Sequence, residues 1–167
     1  TKGDYDMGLS LPPLVKYENF ESDEDFLNTL YEYFKADFVI NKPKYKGIPL
    51  RLKRMPLRNE RESTFYHVTT KGDNEENRQI DIPRAERIRW IKPIIESNDK
   101  TLLTWENSRK NEDNILIFHE VENFLIVLRK RKQGLMFWTS YYVDKCYKHK
   151  LLKEYNNYHN KLKTPLY

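Results

Sequence analysis

Four β-rich runs follow one another in the last third of the chain, and only short polar links separate them. Strands joined by such short links pair as antiparallel neighbours, because a parallel crossover needs about a dozen residues or more. The links at 121–123 and 133–134 have the composition of tight hairpin turns. The sequence therefore predicts a four-stranded antiparallel meander with strands at Thr101–Asn107, Asn114–Val121, Phe124–Lys132 and Gly134–Val143.

Helical patterns flank this sheet in the sequence. Apolar residues at helical spacing after Ser22, which is placed as a capping residue, predict a helix over 22–35. Asp81 opens a second helix, which Pro93 must end or kink. A third helix over 145–161 carries three tyrosines and a leucine on one side, and we expect it to cover the sheet.

The segments between the first two helices are predicted to be extended. Phe38–Ile40 and Ile48–Leu52 are typical of a small hairpin or an extended lead-in, and Ser63–Thr70 of an extended segment that ends in a polar loop. The predicted fold class is α+β, with the four-stranded antiparallel meander packed against N-terminal, middle and C-terminal helices. One domain over 1–167 is expected, with loose ends at about 1–13 and 160–167.

Composition narrows the class of protein further. No apolar run approaches the roughly 20 residues that span a bilayer, and the N-terminus lacks a signal-peptide pattern. The single cysteine, Cys146, can form neither an internal disulfide nor a cysteine-based zinc site. We therefore expect a cytoplasmic protein with no membrane partner.

The charges are arranged in blocks along the chain. Residues 1–41 carry 3 basic and 9 acidic side chains, whereas residues 42–61 carry 8 basic and 1 acidic. Clustered Lys and Arg attract phosphates by releasing counterions, so the basic block is a candidate RNA-binding segment. A solvated loop is the alternative interpretation. The candidate RNA-binding residues are Lys42, Lys44, Lys46, Arg51, Lys53, Arg54 and, beside the histidine discussed below, Thr69.

Two arginines of the second predicted helix fall on its apolar side. At 100° per residue, Arg84 and Arg87 lie in the same arc as Trp90 and the isoleucines. A buried arginine keeps its charge and needs a partner. Two interpretations are open: the pair binds carboxylates such as Asp81, Glu106 or Glu120, or it binds an anionic ligand.

His67, Thr139 and Tyr141 are further candidates for chemistry. A histidine near its ordinary pKa can exchange protons, although a lone histidine in an extended segment is more often structural. Strict alternation places Phe137, Thr139 and Tyr141 on one face of the last strand and Trp138 on the other. The remaining histidines show no metal-binding spacing, so no metal site and no cofactor are expected.

The order of several short motifs resembles a known family. The motifs are TFYHVTT (64–70), RAERIRWI (84–91), Trp105, FLIVL (124–128), FWTSYYV (137–143) and LLKEY (151–155). They resemble the phage-associated nuclease domains grouped with barnase, EndoU, colicin and RelE toxins, known as the BECR fold. The resemblance covers about residues 38–158.

The resemblance implies metal-independent RNA cleavage, with the substrate bound between the helix and the sheet. It implies that His67 matches the family's histidine, Arg84 and Arg87 its helix arginines, and Thr139 with Tyr141 its polar pair on the final strand. We thus expect an endoribonuclease of toxin or mobile-element type, in which the ribose 2′-hydroxyl attacks the adjacent phosphate. The expected partners are RNA and an antitoxin or immunity protein. The alternative is a non-catalytic RNA- or protein-binding module on the same fold.

Overall fold

The computed structural model describes residues 9–163, which form an α+β fold around a four-stranded antiparallel sheet. Its α-helices are α1 (Asp23–Phe34), α2 (Ser63–Thr69), α3 (Ile82–Ala85), α4 (Ile91–Glu96) and α5 (Lys145–Lys163). Its strands are β1 (Lys44–Tyr45), β2 (Ile48–Pro49), β3 (Thr70–Lys71), β4 (Gln79–Ile80), β5 (Leu103–Arg109), β6 (Glu112–His119), β7 (Phe124–Arg131) and β8 (Gly134–Tyr142).

The predicted meander is confirmed. The main sheet has the strand order β5-β6-β7-β8, and every neighbouring pair is antiparallel. Asn123, with φ of 54°, and Gly134, with φ of 122°, provide the left-handed backbone that the last two tight turns require. The four strands and the terminal helix follow the predicted segments, with ends displaced by a few residues.

Both faces of this sheet are covered. One face, called the α1 face below, packs on α1, α2 and α4 through residues such as Ile117, Ile126 and Phe137. The other, called the α5 face, packs on α5 through residues such as Trp105 and Leu125. Burial on two sides explains why β6 and β7 contain nearly continuous apolar runs instead of a strict alternation of polar and apolar residues.

Helix α1 begins where the sequence predicts but continues further. The Ser22 hydroxyl accepts a hydrogen bond from the Asp25 backbone N–H at 3.1 Å, as a capping residue does. The chain then continues as a π-helical segment over Lys35–Ile40. The predicted extended conformation of Phe38–Ile40 is therefore wrong, because Phe38 continues the buried side of α1 and stacks on Phe137 of β8, with 5.0 Å between ring centroids.

Ser63–Thr70 was also expected to be extended, and this prediction is wrong for all but its last residue. Residues 63–69 form α2, whose first N–H groups donate to the carbonyls of Lys53 and Arg54. The Thr69 hydroxyl donates to the carbonyl of Phe65 at 2.8 Å, a bond that threonine makes inside helices. Hydrogen bonds to a distant segment thus satisfy the first N–H groups of a helix whose residues have weak helix propensity.

The second predicted helix is broken into pieces. Asp81 caps α3, as expected, and the helix ends after Ala85. A 3₁₀ turn over Ile88–Trp90 then leads into α4. Pro93 neither ends nor kinks a helix, contrary to the prediction. It lies in the first turn of α4, where the backbone N–H that proline lacks would have no partner within the helix.

A two-residue hairpin is present in the basic block, but its strands are β1 and β2. The segment after it adds to the edge of the main sheet: the Arg51 N–H donates to the carbonyl of Leu135, and the Phe137 N–H donates to the carbonyl of Arg51, both at 2.9 Å. This segment is parallel to β8. It determines where the basic side chains of residues 51–53 lie.

The expected loose ends are partly ordered. Leu9 donates its N–H to Asp99 at 2.7 Å, and the Pro12 carbonyl accepts from Trp90 Nε1, so residues 9–13 are attached to the core. Helix α5 extends to Lys163, beyond its predicted end. The rest of both expected loose ends, 1–8 and 164–167, lies outside the described residues. No helix within residues 9–163 has the length and apolarity to cross a membrane.

The stack of Phe38 on Phe137 predicts the effect of truncating Phe38. We expect Phe38→Ala to lower the free energy of unfolding by about 3–5 kcal/mol, because the fully buried ring leaves a cavity. Ile40→Ala, in the same π-helical segment but 75% exposed, should change it by less than about 0.5 kcal/mol. Urea denaturation of both variants tests this, and equal midpoints would contradict the packing described.

Candidate functional site

A β-bulge in β8 changes the expected alternation of side chains. The register shifts between Val127 and Leu128 of β7, so that Leu128 pairs with Phe137 but Val127 pairs with Thr139. Trp138 is the extra residue. The prediction that Phe137 shares a face with Thr139 and Tyr141 is therefore wrong: Phe137 lies on the α1 face, whereas Tyr141 packs with Trp138 on the α5 face.

Cationic side chains from two segments surround Trp138. The Arg129 guanidinium of β7 lies 3.7 Å from the centroid of the Trp138 ring, a close stacking contact. Lys53, from the segment beside β8, and Arg131 of β7 each lie 5.9 Å from the same centroid. Arg51, opposite Met136, points to the same side of the sheet. We call Lys53, Arg129, Arg131 and Trp138 the Trp138 cluster.

Arg129 has the most constrained guanidinium of the cluster. Its Nε–H donates to Asn114 Oδ1 at 3.1 Å, and the Glu112 carboxylate lies 3.9 Å from Nε. Burial lowers the pKa of Arg129. Arginine side chains remain charged in proteins at neutral pH. Its hydrogen bonds within residues 9–163 use Nε alone, so its terminal amino groups remain for a ligand.

Arg129 and Trp138 are not among the site residues predicted from the sequence. A signal for Arg129 was present, because it continues the alternation of Leu125 and Val127 on the α5 face of β7. Trp138 lies on the face opposite Phe137, as alternation predicts, but the sequence does not reveal the bulge that brings Tyr141 to that same face.

His67 of α2 lies at the edge of the cluster. Its ring meets Trp138 edge to face, with 5.7 Å between centroids. The imidazole makes no hydrogen bond within residues 9–163. Its nitrogens are not fully buried, so they are open to water or a ligand. Burial, together with the charges of Arg78 and Lys53, lowers the pKa of His67 to about 4. The imidazole is therefore neutral at pH 7 and can accept a proton but has none to donate as an acid.

Arg84, Thr139 and Tyr141 meet behind His67. Arg84 donates from one terminal nitrogen to the carbonyls of His67 and Thr70, at 2.9 and 2.8 Å, and its guanidinium stacks on Tyr141 at 4.4 Å. The Thr139 hydroxyl also donates to the carbonyl of His67, at 3.1 Å. Arg84 is 3.7 Å from Asp81, one of the carboxylates expected as its partner. These contacts hold α2 against β8.

Arg87 does not join this group. Its guanidinium lies 4.1 Å from the ring of Tyr142 and donates to the carbonyl of Pro83. Tyr142 pairs with Phe124, on the α1 face, whereas Tyr141 pairs with Leu125, on the α5 face. The break after α3 thus places the two arginines against rings on opposite faces of β8.

The predicted RNA-binding residues separate into three groups. Lys53 belongs to the Trp138 cluster, and Lys42, Arg51 and Arg54 line a shallow depression of about 400 Å³ next to it. Lys44 and Lys46 line a different cavity of about 450 Å³, between the β1-β2 hairpin and α4. Thr69 is completely buried and its hydroxyl is bonded to Phe65, so it is not available to a ligand.

Metal-binding side chains do not cluster in the part of the chain that the structure describes. Within residues 9–163, no group of three or more His, Cys, Asp or Glu side chains could hold a metal ion. Groups suited to acid–base or anion chemistry near Trp138 include the cations, the Glu112 carboxylate, the neutral imidazole of His67 and Tyr141, which packs with Trp138 on the α5 face.

The lowered pKa of His67 is testable by NMR. We expect its imidazole to titrate with a midpoint near pH 4. The folded pKa lies below the unfolded value of about 6.5, so this group contributes stability above pH 6.5 that is lost as the pH falls towards 4. Inorganic phosphate bound at the cluster should raise the midpoint, because an anion favours the imidazolium. A midpoint near 6.5 in the free protein would contradict the burial described.

Comparisons with known proteins identify no relative of this chain. No protein-family model matches it, and no curated protein sequence or solved structure does. The fold class is thus established by the chain's own structure, as α+β with a four-stranded antiparallel sheet. The resemblance to BECR-fold nucleases depends on the short sequence motifs, and what it implies belongs to the proposal below.

Proposed function

We propose that this chain binds RNA at the Trp138 cluster and cleaves it without a metal ion, as an endoribonuclease of toxin or mobile-element type. The observation that carries the proposal is the juxtaposition of Arg129, Lys53 and Arg131 around one tryptophan ring, with the neutral His67 at its edge. Cations bind the phosphates of a nucleic acid, and an aromatic ring among them offers a contact for a base.

The cluster has groups suited to transphosphorylation. The neutral imidazole of His67 takes the proton of the ribose 2′-hydroxyl, and the 2′-oxygen forms a bond to the adjacent phosphorus. The bond from phosphorus to the 5′-oxygen breaks, and that oxygen receives a proton from the Tyr141 hydroxyl. The products are a 2′,3′-cyclic phosphate and a 5′-hydroxyl. Arg129 takes the role expected of Arg87, stabilising the charge that develops on the phosphate.

A second candidate function is RNA binding without cleavage. It is favoured by the contacts of Arg84, one of whose terminal nitrogens already donates to two backbone carbonyls, and by the position of Arg87 away from the cluster. The protein then keeps the basic aromatic surface but lacks a second arginine that is free to stabilise the transition state. The two functions share the binding surface and differ only in turnover.

Cleavage in the presence of EDTA distinguishes the two functions. We expect the purified chain to cut a labelled single-stranded RNA in EDTA and His67→Ala to lower turnover by roughly 100-fold or more, since general bases contribute at least this much. His149→Ala, on an exposed part of α5, is the matched control and should leave turnover unchanged. Expression of the wild type, but not of His67→Ala, should also arrest bacterial growth.

Three results would count against the enzyme. A strict requirement for added metal, or equal turnover in His67→Ala and the wild type, would exclude the proposed chemistry. RNA binding that Trp138→Ala weakens, with no cleavage by the wild type, would instead favour the non-catalytic module.

A substitution of Glu112 gives a second test of the binding surface, because it should raise the affinity for RNA instead of lowering it. Its carboxylate is bonded to Arg131 and also faces Arg129, so it occupies the cations that a phosphate would bind. We expect Glu112→Gln to strengthen RNA binding by roughly threefold, the effect of one partly exposed ion pair. Filter binding at several salt concentrations measures this.

Glu106→Gln is the control for this gain. Glu106 pairs with Lys130 and lies opposite Ile115, on the α1 face, so its loss changes the net charge equally without freeing a cation at the cluster. Equal gains from the two variants would mean that net charge alone acts, and that the Trp138 cluster is not the binding surface.

A further inference from the structure

We infer that Glu154, Asn107 and Asn114 form a hydrogen-bond relay that orients Arg129 as a two-pronged receptor for one phosphate group of RNA. The inference rests on the proposed function and adds three positioning residues to it. It identifies the ligand of Arg129 as a phosphodiester and gives a role to a row of polar residues that crosses the α5 face.

The row crosses three strands and ends on a helix. Asn107 of β5 pairs with Asn114 of β6, which pairs with Arg129 of β7. Asn107 Nδ2 donates to Glu154 Oε1 of α5 at 2.6 Å, and Asn114 Nδ2 donates to Asn107 Oδ1 at 3.0 Å. Arg129 Nε then donates to Asn114 Oδ1 at 3.1 Å. Arg109 donates to the other carboxylate oxygen, Glu154 Oε2, at 2.9 Å.

The two ends of the row determine the orientation of both amides. A carboxylate can only accept hydrogen bonds, so Asn107 must turn its NH₂ towards Glu154 and its oxygen towards Asn114. A guanidinium can only donate, so Asn114 must turn its oxygen towards Arg129. Rotating either amide by 180° would place two donors or two acceptors face to face. The row therefore has a single low-energy arrangement.

This arrangement determines which edge of Arg129 faces a ligand. The Nε–H is used by Asn114, and one face of the guanidinium is stacked on Trp138. The side chain is only 16% exposed, so it has little freedom to move. What remains is the edge with the two terminal amino groups, which matches two phosphate oxygens in a planar fork.

Packing alone does not explain the row. Asn114 is buried, and a leucine at this position would bury more apolar area without the cost of desolvating an amide. Removing a single member of such a row leaves the others unsatisfied, which makes the arrangement sensitive to its remote end at Glu154. A role in positioning Arg129 accounts for the polar residues and for their direction.

Glu154→Gln separates the relay from simple electrostatics, because the two predict opposite signs. Both oxygens of Glu154 accept hydrogen bonds, whereas a glutamine has one oxygen. The charged Arg109 competes for that oxygen more strongly than the neutral amide of Asn107, so the bond to Asn107 is lost. Net charge alone predicts that losing a carboxylate strengthens the binding of an anion. The relay predicts roughly fivefold weaker binding, the effect of about one net hydrogen bond.

The experiment measures binding of a short 2′-O-methyl oligouridylate, which cannot be cleaved through its 2′-oxygen, and of inorganic phosphate. Glu154→Gln should weaken both, whereas Glu106→Gln should not. NMR provides a readout that does not depend on RNA: the Arg129 Nε–H resonance should be slow to exchange with water in the wild type and fast in Glu154→Gln, with the rest of the spectrum preserved.

The outcomes distinguish the relay from the proposed function. Stronger or unchanged phosphate binding by Glu154→Gln, or an Arg129 Nε–H that exchanges equally in both proteins, would overturn the relay. A wild type that binds phosphate but not the oligouridylate would contradict the proposed function, and the phosphate and exchange measurements would still decide on the relay. If Glu154→Gln unfolds, Asn107→Ala provides the phosphate and exchange tests without a change of net charge, because it removes both the donor for Glu154 and the acceptor for Asn114.

Discussion

A single extra residue in β8 determines which side chains meet at the candidate site. Strict alternation from Phe137, on the α1 face, would place Trp138 on the α5 face but Thr139 and Tyr141 on the α1 face. The bulge opposite Val127 brings Thr139 and Tyr141 to the α5 face as well, so that Trp138, beside Arg129, lies next to Thr139, whose hydroxyl anchors α2. Bulges that redirect a side chain are common at sheet edges and near functional sites. The position of His67 depends on the same residue, because its ring rests against Trp138.

The covered sheet explains why the polar residues are confined to one end. Helix α5 covers the α5 face near Trp105 and Leu125 with Leu151 and a set of tyrosines. The row from Asn107 to Arg129 lies further along the same strands, where Glu154 is the α5 side chain that it contacts. Each polar group there has a partner or reaches water, as a partly buried network requires. The Trp138 cluster thus forms at the point where apolar cover gives way to satisfied polar groups.

The features predicted well from the sequence are those determined by local patterns. The four strands, the Ser22 cap and the terminal helix follow from hydrophobic spacing, turn residues and capping, which act over a few residues. The errors come from contacts between distant segments. The carbonyls of residues 53–54 accept hydrogen bonds from the first N–H groups of α2. Phe137 stacks on Phe38 and so stabilises the helical continuation of α1. Helix and strand propensities depend only on nearby residues, so they predict neither of these contacts.

The same distinction holds for the candidate site. Residue type alone led to the prediction of Arg84, Thr139 and His67 as site residues, and the three are in contact. Arg84 and Thr139 bind the backbone carbonyl of His67, however, and not its imidazole. Arg87 was expected beside Arg84 because the helix was assumed to be continuous. The break after Ala85 instead directs its side chain to Tyr142, on the α1 face. Alternation along β7 places Arg129 on the face of Leu125 and Val127, but its contact with Trp138 depends on the register between β7 and β8, which a single sequence does not reveal.

Burial is the largest cause of the lowered pKa of His67, and the cations that add to it couple the basicity of the imidazole to ligand binding. An anion that neutralises Lys53 and its neighbours raises the pKa of the imidazole from about 4, and by linkage a protonated imidazole strengthens anion binding by the same factor. At pH 7 the free imidazole is neutral, so it is in the form that accepts a proton before the phosphate arrives. In the proposed reaction, binding would then make it a stronger base when a 2′-hydroxyl is beside it. A half-buried histidine whose charge nearby cations also disfavour is thus suited to an anionic ligand, whose arrival increases the basicity that the proposed reaction requires.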